Sequence, residues 1–328
     1  MTSSRTASAI TLAAIAAIAL GGCASTAPSA SEPGASAPLE IDNCGTTFEV
    51  TDDAPERIVT IKSTSTELLL ALGLGDRIVG SAFQDGPVPE EWAADAAGIP
   101  VISDFAPSQE AVLELEPDFV FAGWESMLTP EAAGARDDLA ALGIGSYVAP
   151  SACKEPGDQP AKLSFDEVFD EIIEAGTVFH AEDAAADLVA EQRDELDSID
   201  ADDRGLSALW YSSGSDTPYV GAGIGAPEMM MEQLGLSNIA ADVDDTWTSL
   251  GWESIVDANP DVIVLVDASW NTAASKIALL EGNPATAALD AVRASRYLYV
   301  PFAAGEAGVR NVAATADLAE QLAALDIG

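Results

Sequence analysis

The sequence predicts an α/β chain of two similar lobes with mainly parallel sheets, joined by one long helix. Three observations carry this. The stretch Ser108 to Trp124, SQEAVLELEPDFVFAGW, reads as a short acidic helix, a Pro-Asp turn and an apolar strand, and Gly251 to Trp270, GWESIVDANPDVIVLVDASW, repeats it. In each copy a Glu (Glu110, Glu253) stands seven positions before the Pro of a Pro-Asp pair (Pro117-Asp118, Pro260-Asp261), which points to duplication. Strands also alternate with helices in both halves, the pattern of a parallel sheet covered on both faces. Between the halves, Ser164 to Ile199 keeps helical apolar spacing without strand signals and makes a natural strut.

Residues 1–22 read as an export signal. Arg5 supplies a positive start, Ile10 to Leu20 form a short apolar run, and the run closes on Leu20-Gly21-Gly22-Cys23, which resembles a bacterial lipobox. That motif implies cleavage before Cys23 and lipid on its thiol, where more than one acyl chain gives stable anchoring. An ordinary secretory cleavage site beside an incidental Cys is the alternative. Residues 23–40, rich in Ala, Ser, Pro and Gly, read as a disordered tether.

The first lobe spans residues 41–163. Arg57 to Ile61 is a strand, Lys62-Ser63-Thr64 a polar loop at its carboxyl end, and Ser65 to Leu72 a helix ending on Gly73 and Gly75. Strands at Ile78 to Ser81 and Val101-Ile102 and the first repeat unit follow, with a further helix and strand through Val148. The helical region, 164–204, is interrupted at His180-Ala181-Glu182. In the second lobe, 205–328, strands are expected at Leu206 to Tyr211, Val262 to Val266 and Tyr297 to Val300, with helices at Pro227 to Leu234, near Lys276 to Glu281 and at Arg310 to Leu325. Leu234-Gly235-Leu236 echoes Leu72-Gly73-Leu74.

Composition narrows the function. With 55 acidic against 13 basic residues the formal net charge is -42, which repels nucleic acid. With Cys23 given to lipid, Cys44 and Cys153 remain at the two ends of the first lobe; a disulfide there closes a long loop in an oxidising location, and two free buried thiols are the alternative. The lone histidine, His180, lies in a polar context, and no Gly-x-Ser-x-Gly elbow is present, so neither a nucleophilic triad nor a multi-histidine metal site is expected. Gly221-Ala222-Gly223-Ile224-Gly225-Ala226 fits a loose dinucleotide-loop pattern, but it reads better as a glycine-rich ligand or turn loop. No cofactor is expected.

Aromatic residues are only 6% of the chain, yet Trp124, Tyr211, Trp247, Trp270 and Phe302 are expected at or just after strand ends. Open parallel sheets bind ligands there, and flat rings suit a planar or large apolar ligand. Ordinary core packing is the competing account. Lys62 and Arg310 are candidate counter-charges for an anionic ligand.

These features together resemble the helical-backbone (class III) solute-binding lipoproteins of ABC importers that serve siderophores, haem and cobalamin. The resemblance rests on the lipobox, Ser65 to Gly73 (STELLLALG), the doubled Glu-x6-Pro-Asp and the helical strut. It implies two Rossmann-like lobes about a rigid helix, ligand in the cleft, and a Glu on each lobe, here Glu110 and Glu253, docking on arginines of a permease dimer driven by an ATPase. Thr60-Ile61-Lys62-Ser63-Thr64, Trp210 to Pro218 and Gly308-Val309-Arg310-Asn311 are similar to a subgroup proposed to import the deazaflavin precursor F-420-0. The implied binding residues are Lys62, Ser63, Thr64, Trp124, Tyr211, Trp247, Trp270 and Arg310. The implied protein is a monomer on the outer face of the cytoplasmic membrane. The competing classes are an extracellular enzyme on the same scaffold, a ferric-siderophore binder specifically, and an adhesion lipoprotein.

Overall fold

The computed structural model describes residues 39–327 apart from Glu155, Pro156, Gln159 and Pro160. The signal segment, most of the tether and Cys23 lie outside the described residues.

Chain order begins with a hairpin, β1 (Leu39–Asn43) and β2 (Thr46–Val50). Its two-residue turn is Cys44-Gly45, both at positive φ (50° and 69°), the turn whose twist matches paired strands. Pairing therefore starts at Leu39, inside the segment that reads as tether. The first lobe continues β3 (Ile58–Ile61), α1 (Ser63–Ala71), β4 (Ile78–Ala82), α2 (Ala93–Ala96), β5 (Val101–Ser103), α3 (Gln109–Leu113), β6 (Phe119–Ala122), α4 (Arg136–Ala141) and β7 (Gly145–Val148). Its sheet runs β5-β4-β3-β6-β7, all parallel. Order reverses between β3 and β6, which opens a crevice beyond their carboxyl ends. Cys44 and Cys153 are disulfide-bonded, with Cα atoms 5.2 Å apart, tying the hairpin to the chain after β7.

The linking element is α5 (Phe165–Val178) and α6 (Glu182–Asp197), a hairpin of two helices that parts at the interruption read at His180-Ala181-Glu182. His180 takes φ 54°, which no helix continues through, and its ring bonds Thr51 O at 2.9 Å. The helices return alongside one another: Arg193 on α6 pairs with Asp166 on α5 at 2.6 Å and lies over the Phe169 ring. At the joint, Phe179 packs among Phe119, Phe121 and Tyr147 of the first lobe. A Ser164–Glu167 capping box starts α5.

The second lobe runs β8 (Ser207–Ser213), β9 (Tyr219–Gly221), α7 (Ala226–Gln233), β10 (Ser237–Asn238), β11 (Trp247–Ser249), α8 (Trp252–Ala258), β12 (Val262–Asp267), α9 (Ala273–Gly282), α10 (Asp290–Arg293), β13 (Tyr297–Pro301) and α11 (Asn311–Ala324). This sheet is mixed. Strands β10, β8, β12 and β13 pair in parallel, but β9 is antiparallel to β8 and β11 to β9. The short connection through Gly214 (φ 84°) allows only an antiparallel return.

The repeat has a structural purpose in both lobes. Asp118 accepts from the backbone N–H groups of Glu56 and Arg57 at 2.9 Å, so its carboxylate fixes the segment entering β3. Asp261 does the same at β8, accepting from Ser207 N (2.8 Å) and Oγ (2.7 Å). The echoing glycines also match. Gly73 (φ 73°) and Gly235 (φ 72°) each end a helix, and the following Leu N–H reaches back to Leu69 O and Met231 O in the same six-residue closure.

Side chains alternate faces along each strand. Ile58 and Val264 join one core that continues from lobe to lobe through α5 and α6, whereas Val59 faces a first-lobe cluster and Ile263 and Leu265 a second-lobe cluster. A core shared through the linking hairpin resists large lobe rotations.

Candidate functional site

The carboxyl ends of both sheets meet around one cleft of about 1270 Å³. From the first lobe it receives Lys62 and Thr64 after β3, Phe83 to Asp85 after β4, Phe105 after β5 and Trp124 after β6. From the second come Tyr219 on β9, Trp247 on β11, Trp270 after β12 and Phe302 after β13. The glycine-rich loop contributes Ile224, Gly225 and Ala226; a Cβ on Gly223 would sit 2.1 Å from Ala241 O, so close backbone packing demands glycine there.

Of the residues expected to bind ligand, Lys62, Thr64, Trp124, Trp247 and Trp270 line this cleft. Ser63, Tyr211 and Arg310 do not. Ser63 is buried at the start of α1, where its Oγ accepts from Asp85 N. Tyr211 lies within β8 rather than at its end, with its hydroxyl on Gly214 O at 2.6 Å and its ring edge-on to Trp252. Trp247 opens the edge strand β11 and stacks on Tyr219 at 5.9 Å.

The two candidate counter-charges are already paired. Lys62 is 0% exposed, ion-paired with Asp85, and its ammonium lies 3.7 Å from the Trp124 ring centroid and 4.5 Å from that of Phe83. Its φ of 82° turns the chain sharply between β3 and α1. Arg310 pairs with Glu67 of α1 and donates to Pro87 O at 2.9 Å, so it braces one lobe on the other. Burial pushes the Glu67 carboxyl up, against the pull of Arg310.

Glu306 is the residue that sequence reasoning missed. It follows the short helical turn after β13, and its Oε2 accepts from Trp124 Nε1 at 3.0 Å across the cleft. Burial pushes its carboxyl up, and nearby Lys62 draws it back down. Nothing local marks it; its environment is assembled from residues 182 positions away. Lys154 adds a further cross-cleft bond, from Nζ to Thr246 Oγ1 at 3.1 Å.

Lys276 lies on α9, 2% exposed, below the loop that carries Trp270. Its ammonium donates to Val266 O (2.7 Å) and Asn271 O (2.6 Å), and burial lowers its pKa to about 8. Glu110 and Glu253 are both exposed, each in the first turn of its helix, α3 and α8. Among the described residues no group of His, Cys, Asp and Glu is arranged to hold a metal ion, and no helix is long and apolar enough to cross a membrane.

A periplasmic binding protein family model matches residues 58–304, three quarters of the chain and both lobes. The chain belongs to the periplasmic binding protein family. It is similar to an uncharacterized ABC transporter substrate-binding lipoprotein of Bacillus subtilis, 27% identical over 70% of this chain and 69% of that one. A cobalamin-binding protein of Halobacterium salinarum is 28% identical over 69% of this chain and 58% of its own length. Among solved structures, a periplasmic binding protein from Veillonella parvula superposes with TM-score 0.77 at 25% identity, covering 88% of this chain and 98% of that one. An ABC-type Fe3+-hydroxamate transport system protein from Saccharomonospora viridis superposes with TM-score 0.73 at 28% identity, covering 88% and 99%. The two-lobed architecture with one parallel and one mixed sheet is that of this family.

Proposed function

We propose that this periplasmic binding protein captures a large planar organic ligand or metal chelate of the corrinoid type and delivers it to an ABC permease. The observation that carries the reading is the inter-lobe cleft, walled by Trp124, Phe83 and Phe105 on one side and Trp247, Trp270 and Phe302 on the other. Its size exceeds a drug-sized pocket, and opposed aromatic faces fit a broad ring system better than a small polar solute. The cobalamin-binding relative supports the corrinoid class. The cleft's charges weigh against an anion, because Lys62 is neutralised by Asp85 and the lining sets Asp104, Glu125, Asp245 and Glu306 against Lys154. That counts against the phosphorylated deazaflavin precursor and against haem, whose propionates need cations. A ferric-hydroxamate chelate is the second reading, supported by the relative from Saccharomonospora viridis.

In this reading Cys23 carries the lipid anchor on the outer face of the membrane, the protein acts as a monomer, and Glu110 and Glu253 set its register on the permease. Paired charges on a pseudo-twofold protein suit a twofold partner. No catalytic step is part of this role.

The test is tryptophan quenching and native mass spectrometry of the lipid-free protein against cyanocobalamin, haemin, a ferric hydroxamate and the deazaflavin precursor. Saturable quenching by cyanocobalamin alone is expected. Preference for any of the other three replaces the corrinoid reading with that ligand's class.

A further inference from the structure

The donor and acceptor inventory at the floor of the cleft is one-sided. Four strong donors stand there or just behind it, and each is already used within the protein, Lys154 by Thr246 Oγ1 at 3.1 Å. The Lys62 ammonium is held by Asp85, the Trp124 indole N–H by Glu306, and the Arg310 guanidinium by Glu67 and Pro87 O. Glu306 differs. Trp124 engages its Oε2, its Oε1 makes no hydrogen bond among the described residues, and Glu306 belongs to the cleft lining. A carboxylate oxygen in a part-buried aromatic surround is costly unless something satisfies it. The flanking faces of Trp124 and Phe302 carry negative quadrupoles that favour positive charge in the same space.

Resting on the reading of the cleft as the ligand site, we propose that Glu306 is its specificity-determining residue and selects ligands that present a hydrogen-bond donor or positive charge to the floor. The chemical class is a broad planar ring carrying primary amides, ammonium or other N–H groups on the inserted edge. Rings that insert carboxylate, sulfonate or phosphate groups are rejected, since they would meet Glu306 Oε1 in a lining where Asp104, Glu125, Asp245 and Glu306 outnumber Lys154, which is itself held on Thr246 Oγ1.

The proposal is tested with two porphyrins of equal plane and opposite charge, the tetrakis(N-methylpyridyl) cation and the tetrakis(sulfonatophenyl) anion. Binding is measured by tryptophan quenching in about 1 M salt, where the Debye length falls to roughly 3 Å and the general acidity of the surface is screened. Wild type is expected to favour the cation by more than about tenfold, the order that one desolvated charge contact gives. Glu306→Gln should reduce that ratio to within about threefold of unity, and Asp187→Asn, which removes one exposed charge from α6, should leave it unchanged. Melting curves check that both variants fold. An unchanged ratio in Glu306→Gln, equal binding of the two porphyrins by wild type, or no binding of either overturns the proposal. Failure of cyanocobalamin to bind while the porphyrin ratio behaves as stated removes the corrinoid assignment and leaves the role of Glu306 standing.

Discussion

Trp124 and Glu306, 182 residues apart, join the lobes across the cleft floor through a 3.0 Å bond from indole Nε1 to Oε2. Trp124 also forms part of the aromatic wall around Lys62, so one side chain serves both lobe contact and cleft surface. A double-mutant cycle of Trp124→Phe and Glu306→Leu, followed by denaturant unfolding, should give a coupling of about 1–2 kcal/mol, typical of a part-buried bond to a charged acceptor. Additive losses would mean that the bond adds nothing to the native state.

The two Pro-Asp turns make a second prediction. Asp118→Ala removes a carboxylate that holds two backbone N–H groups and should cost about 1 kcal/mol; Asp261→Ala should cost about 2 kcal/mol, because its site is part-buried. Urea midpoints measure both. Equal losses would contradict the burial argument.

Opening the Cys44–Cys153 bridge should lower stability substantially. The cysteines are 109 residues apart, and on the chain-entropy account a loop of that length is worth about 4–5 kcal/mol. Cys44→Ser with Cys153→Ser should therefore melt well below wild type. Insensitivity of the wild-type melting temperature to dithiothreitol would show that the loop is held by other contacts.

Lys276 makes stability depend on alkaline pH. Its folded-state pKa is lowered to about 8 while the unfolded chain titrates near the ordinary lysine value, so between those values the unfolded state binds more protons. Stability should accordingly rise as pH increases from about 8 toward 10, by an amount on the order of 1 kcal/mol or more. Lys276→Met should flatten that rise. Parallel curves for the two proteins would assign the titration to other groups.

Docking is tested in transport. Glu110→Ala combined with Glu253→Ala should abolish ligand uptake while leaving the affinity of the soluble protein unchanged. Normal uptake by the double variant would remove both residues from the permease contact.

Much of this was legible because it rests on local rules. The repeat announces itself through Pro-Asp followed by an apolar run, and Gly73 and Gly235 mark helix ends by a conformation that disfavours other residues. Strand-end aromatics found most of the cleft wall for the same reason, since parallel strands deliver their carboxyl ends to one side. Tyr211 was misplaced because β8 runs two residues further than its apolar stretch. Pairing is the part that local rules do not reach. Lys62 and Arg310 look like unengaged cations in sequence, and only the tertiary fold sets Asp85 and Glu67 against them. Glu306 stayed hidden on the same grounds. The opening hairpin did carry a signal, Cys44-Gly45 between segments able to pair, that composition-based reading of the tether obscured.

Glu306 and Arg310 lie four positions apart, on a strap between β13 and α11, and both grip the opposite lobe. The width of the mouth is thus governed by a few consecutive peptides as well as by the distant pivot. Lengthening that strap by one or two residues would reset the aperture while every ring on the walls stayed in place, a route by which a binding protein of this build could change the bulk of its ligand before changing its chemistry.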